Sequence, residues 1–204
     1  MTRVAIISAS TRPNRSGPLV SEWTLRTAKM VGPAHAEFEL VDLADYDLPL
    51  LDEPLPAAYG HYTHEHTRSW AETIGAFDGF VFVTPEYNAG VPAALKNAID
   101  YLAAEWGHKA AGYVGYGTNG GTRAIEQLRQ NTADLQLVGV STRVLLSIFT
   151  DFDHSQTDPE DPTALAEFRP AERHVSDLES LLHEVVAWTE ALAPIRRLAA
   201  GAHA

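Results

Sequence analysis

The stretch 83-VTPEYNAGVPAALKNAIDYL-102 decides how this chain is read. An apolar run ends at Pro85, and Glu86, Tyr87 and Asn88 follow with no obvious partner beside them in sequence. Pro92 then opens a segment of helical period, where its fixed φ suits a first turn. One reading is an ordinary connection, with Asn88 capping the helix and Tyr87 packing nearby. The other is the lip of a binding site at the end of a strand.

Outward from that stretch, strand-like and helix-like runs alternate. Arg3 to Ser8 is short and β-branched, and 17–31 carries apolar residues near helical spacing. Glu37 to Leu43 alternates as a half-buried strand does. Gly79 to Thr84 is continuously apolar, as a central parallel strand covered on both faces should be. Helix is expected over 92–102 and 122–131. Strand is expected over 110–116 and over 135–146, with an interruption at Gly139. A closing helix is expected over about 172–192. This order predicts an α/β protein, residues 1–204 as one domain, with an open, doubly wound, mostly parallel sheet. Ligands of such sheets sit outside the carboxyl ends of the strands, so the loops there carry the function.

Composition narrows the choice. The 204 residues include no cysteine, which excludes thiolate catalysis, disulfide frameworks and Cys-ligated zinc. A net charge of −12 without a basic stripe argues against nucleic-acid or anionic-membrane partners. No apolar run approaches the roughly 20 residues of a membrane helix, and no signal peptide is read at the N-terminus, so the cytoplasm is the expected location.

Three loops at the expected sheet edge are polar or glycine-rich. The first, 8-SASTRPNRSG-17, sets Ser8, Ser10, Thr11, Arg12 and Arg15 between a strand and a helix N-terminus. Hydroxyls, free backbone N–H groups and arginine together suit a phosphate monoester, although a capped turn would use some of the same residues. The Walker pattern is missing. The second loop is the opening stretch. The third, 115-GYGTNGG-121, matches G-x-G-x-x-G after a strand. It is not in the first β-α unit, however, and lacks a later acidic residue for a ribose, so a dinucleotide fold does not follow. Glycines there suit close backbone approach to a flat ligand.

These residues resemble the NAD(P)H-dependent FMN reductases of flavodoxin-like fold, which include quinone, azo-dye and chromate reductases. The resemblance rests on S-x-S-T-R-x-x-R (8–15), T-P-E-Y-N-x-G-x-P-x-x-L-K-N-A-I-D-Y-L (84–102) and Y-G-x-x-G-G-x-R-A-x-E-Q-L-R (116–129). It implies a five-stranded parallel sheet of order 2-1-3-4-5. It also implies bound FMN, with Ser8, Ser10, Thr11, Arg12 and Arg15 on the phosphate. Pro85, Glu86, Tyr87 and Asn88 would line the isoalloxazine ring, and Gly117, Thr118, Gly120 and Gly121 would meet its other side. NADPH or NADH would be the co-substrate, a small molecule the acceptor, and the assembly a homodimer or homotetramer. No catalytic side chain is implied, because the cofactor carries the chemistry. A flavodoxin-like electron carrier and a non-redox phosphate-binding protein stay open beside the enzyme.

Other features stand apart from this reading. The run 61-HYTHEH-66 reads as a polar surface loop without helix spacing, and no metal is expected on His61, His64 and His66. Residues 151–162 read as an acidic, solvated connector that lacks the calcium-loop pattern. Lys96 and Asp100 have i, i+4 spacing for a helix-surface pair.

Overall fold

The computed structural model describes residues 1–202 other than 156, 159 and 162. Its core is a parallel sheet of β1 (Thr2–Ser8), β2 (Ala36–Asp42), β3 (Gly79–Pro85), β4 (Ala110–Gly117) and β5 (Val138–Ser147), in the order β2-β1-β3-β4-β5. That is the expected order. The Gly139 interruption is real: the β4–β5 register slips between Ala111 and Tyr113.

Side chains of successive strand residues point to opposite faces, so each central strand feeds two cores. Val4, Ile6, Val81 and Val83 meet α1 (Gly17–Val31) and α5 (Arg173–Ala202) through Val20, Trp23, Leu181 and Val185. Ala5, Ile7, Phe80 and Phe82 meet α2 (Glu65–Gly75), α3 (Ala93–Asp100) and α4 (Thr122–Ala133) through Trp70, Ile74, Leu95, Ile99, Ile125 and Leu128. Gly112 lets α5 lie close on β4, since a Cβ there would stand 2.6 Å from Leu181 Cδ2.

Two boundaries differ from expectation. The closing helix runs ten residues beyond 192, through Pro194, which sits inside it. The histidine run is not all loop: α2 begins at Glu65, His64 is its N-cap residue, and His66 lies in its first turn. His64 and His66 stack at 5.1 Å. Asp52 ties them down: His66 Nε2 and the Tyr101 hydroxyl both reach its Oδ1, at 3.0 and 2.9 Å. Among the described residues no group of three or more His, Asp or Glu could hold a metal ion. No helix among them is long and apolar enough to cross a membrane.

Candidate active site

The carboxyl ends of β1, β3 and β4 place three loops side by side. Ser8 closes β1 and is fully buried, yet its Oγ has no hydrogen-bond partner within the protein. Ser10 Oγ meets the Tyr87 hydroxyl at 2.7 Å, which joins the first loop to the second. Arg12 lies over the Tyr87 ring, 5.9 Å from its centroid, and has no ion-pair partner among the described residues. Arg15 is half committed: Nη2 pairs with Asp42 at 2.6 Å, while its buried Nε is unpartnered. α1 starts just beyond, and the Ser16 side chain does not cap it, so first-turn N–H groups keep the positive helix end open. Gly17 preserves the gap, because a Cβ there would crowd the Tyr116 hydroxyl at 3.1 Å.

The opening stretch forms a tight turn. Tyr87 and Gly90 exchange backbone hydrogen bonds at 3.0 Å each way, around Asn88 at φ 50° and Ala89 at φ 66°. Two consecutive non-glycine residues with positive φ are rare and occur where surroundings enforce them. Asn88 does not cap α3; Pro92 stands at that N-cap.

Glu86 has a partner that sequence reading missed. Arg123, in the first turn of α4, donates its Nε to Oε1 at 2.6 Å and its backbone N–H to Oε2 at 2.9 Å, and the Glu86 side chain is only 4% exposed. Burial pushes its pKa up, but the hydrogen bonds and charge of Arg123 outweigh this and hold the carboxyl below the ordinary glutamate range. Tyr116, deep in the same place, is pushed up by burial first and by Tyr87 next, so its hydroxyl keeps its proton.

One cavity of about 350 Å³ brings together Arg12, Arg15, Pro85, Glu86, Tyr87, Gly117 and Thr118. The other expected residues take supporting places. Ser8 Oγ faces the start of α1, 3.5 Å from where a Cβ of Gly17 would stand, and Ser10 reaches in through Tyr87. Thr11 faces a different hollow beside Leu43 and Asn97, and Asn88 is exposed at the turn's tip. Gly120 and Gly121, at φ 64° and 72°, seat the third loop on the sheet: a Cβ on Gly121 would stand 2.8 Å from Gly115 Cα. Sequence reading also missed a wall made by Ile148, Phe152, His154 and Ala164 to Ala166. The acidic character of 151–162 concealed it, although Asp151 is fully buried rather than solvated.

A buried Ser8 Oγ, an unpartnered Arg15 Nε, an unpaired Arg12 and an uncapped helix end form a donor set that fits a phosphate monoester. Next to it, Tyr87 and a glycine strand end leave space for a flat ring.

The family model for NADPH-dependent FMN reductase matches residues 2–151. A protein of Nectria sp named NAD(P)H-dependent FMN reductase is 38% identical over 151 residues, covering 72% of this chain and 75% of its own. A Schizosaccharomyces pombe protein of the same description is 38% identical, covering 73% and 74%. A quinone reductase of Pseudomonas putida is 31% identical over 66% of this chain and 71% of its own. Among solved structures, a flavoenzyme NAD(P)H:(acceptor) oxidoreductase of Paracoccus denitrificans shares the fold, with a TM-score of 0.66 at 22% identity over 93% of this chain and 98% of its own. The match across the three site loops, and across three-quarters of the fungal relative, places this chain in the NADPH-dependent FMN reductase family of oxidoreductases.

Proposed function

We propose that the cavity holds FMN and that the protein uses NAD(P)H to reduce a small acceptor. The observation that carries this is one cavity at the sheet edge where Arg15, its Nε unsatisfied, and the unpaired Arg12 share a lining with the Tyr87 turn. Arg12, Arg15 and the α1 N-terminus would hold the phosphate, with Ser10 positioned by Tyr87. Bound FMN supplies hydride and electron transfer, chemistry that no side chain of the twenty provides. The chain's own work is to bind, orient and leave access. Pro85 and Tyr87 form one side, fixed by the Glu86–Arg123 clamp, and the Gly117 strand end forms another. Glu86 is spent on that clamp and is not offered as a proton donor.

The acceptor class is a flavin, quinone, azo compound or metal oxyanion, and the glycine-lined side leaves room for flat molecules of these kinds. Leu50, Leu51, Leu55 and Tyr59 are exposed on the connection after β2, in keeping with a homodimer or homotetramer. The cytoplasm, which holds both NADPH and NADH, is the proposed location.

The test is the visible spectrum of purified protein before and after NADPH or NADH under argon. A flavin spectrum that bleaches with either nucleotide and recovers on adding a quinone is expected. A flavin that neither nucleotide bleaches would point to an electron carrier, and a protein that takes up no FMN would sink the reading.

A further inference from the structure

The cavity's remaining wall lies almost wholly outside the family match. That match ends at residue 151, whereas Phe152, His154, Ala164, Leu165 and Ala166 line the cavity together with Arg12 and Arg15. The wall is firmly attached. Ile148 N–H donates to Gly117 O at 3.1 Å, and Asn14 in the first loop donates its side-chain N–H to Thr163 O. Short strands β6 (Phe152–Asp153) and β7 (Glu167–Phe168) pair antiparallel, and Phe152 packs on Phe168 with centroids 4.9 Å apart. Phe168 in turn meets Trp23 of α1 edge-on at 5.8 Å.

Every side chain this wall gives the cavity is apolar except His154. Its Nε2 lies 3.2 Å from Ile148 O, an atom that can only accept, so Nε2 carries the hydrogen. Nδ1 is left without a hydrogen-bond partner among the described residues. Asp153, next in the chain, is occupied by Arg169 at 2.7 Å, and Glu86 by Arg123, so among the described residues Asp42, on Arg15 Nη2, is the one carboxylate paired with a first-loop arginine.

We propose that His154 is a phosphate-recognising residue of the flavin site, a third cationic group beside Arg12 and Arg15. The proposal rests on the FMN reading above. As an imidazolium, His154 donates from Nδ1 to a phosphate oxygen while Nε2 stays on Ile148 O. This chain would thus complete its phosphate site with a segment that the family match does not include. The competing view is a surface histidine that does no more than cap a strand-end carbonyl.

FMN and riboflavin differ by the phosphate alone, and fluorescence titration of the full-length protein with each separates the two views. His154→Ala is expected to weaken FMN binding about five- to tenfold, the scale of one charge-assisted hydrogen bond, while riboflavin affinity stays within about twofold. His154→Arg, which keeps the charge, should restore most of the FMN preference. Equal weakening of FMN and riboflavin in His154→Ala, or no weakening of either, would overturn the proposal. A wild-type protein that binds FMN no better than riboflavin would instead sink the assignment of the first loop to a phosphate.

Discussion

Glu86 at the end of β3 and Arg123 in the first turn of α4 are joined by two hydrogen bonds, one from the guanidinium and one from the backbone of the same residue. The carboxylate therefore sits on the positive end of α4 as well as against a cation. It couples the Pro85–Tyr87 wall to the helix that follows the glycine loop.

Removing that charge while keeping the shape isolates the clamp. Glu86→Gln is expected to destabilise the fold by about 1–3 kcal/mol, the range for a buried charged hydrogen bond that loses its partner. The ordinary glutamate value is 4.5 and the folded value is lower. The stabilisation is therefore complete above about 4.5 and is lost as pH falls through the folded value. Urea unfolding at several acidic pH values checks this: the wild-type advantage over the variant should shrink on acidification, and a constant gap would contradict it.

The two arginines of the first loop should respond differently. Arg15→Ala is expected to cost about 1–3 kcal/mol of FMN retention, and also some folding stability, because Asp42 loses its 2.6 Å partner. Arg12, exposed and free of any described carboxylate, should weaken FMN binding when changed to Ala while leaving the thermal midpoint nearly unchanged. Flavin titration and thermal unfolding of both variants form the check. A large midpoint loss in Arg12→Ala would show that its role is structural.

The fold was legible because the pattern was strong. Gly79–Pro85 is buried at every position and is flanked by Asp78 and the Pro85 stop, which leaves little choice but a central parallel strand. The first loop stood out in the sequence as a candidate anion site through Ser8, Ser10, Arg12 and Arg15, and the fold brings Arg12 and Arg15 of that loop to the cavity. What was illegible depends on contacts between distant residues. Glu86 finds Arg123 across 37 positions and Ser10 finds Tyr87 across 77, distances over which local pattern carries no signal. The α2 start was missed because 61–66 is polar, and Trp70 and Ile74, which hold the helix to the core, come only after it. The last wall was missed because acidic composition suggests solvent, whereas Asp151 is buried by satisfying backbone donors.

Lys109 supplies a prediction at alkaline pH. It is 7% exposed at the start of β4, and its ammonium donates to Ile74 O at 3.1 Å. Burial first, and the charge of Arg196 next, bring its pKa down to about 8 from 10.5. Below about 8 the folded state carries a poorly solvated charge. Between about 8 and 10.5 the unfolded chain binds more protons, so this site's contribution to stability improves as pH rises. Lys109→Met removes the titration. The midpoint difference, variant minus wild type, should therefore fall between pH 8 and 10, and a flat difference would show that the lysine is not strained.

Asp151 anchors the wall that carries His154. Its Oδ2 accepts from Ser147 N–H at 2.9 Å and from the Thr150 hydroxyl at 3.0 Å. Oδ1 accepts from Ala171 N–H at 3.2 Å and from His174 Nε2 at 3.0 Å. Four donors converge on one buried carboxylate, so its ionised form is favoured: burial pushes its pKa up, and the backbone donors and Thr150 outweigh that. Asp151→Asn must turn an amide N–H₂ towards one of these donor pairs, leaving donor facing donor. The expected cost is about 2–3 kcal/mol, the penalty for buried groups left unsatisfied. Because the bonds tie β5 to the start of α5, the loss should be felt first between them, as faster proteolysis within 152–168. A variant that loses stability but is cut no faster in that segment would show that the wall is held by Phe152, Phe168 and Trp23 instead.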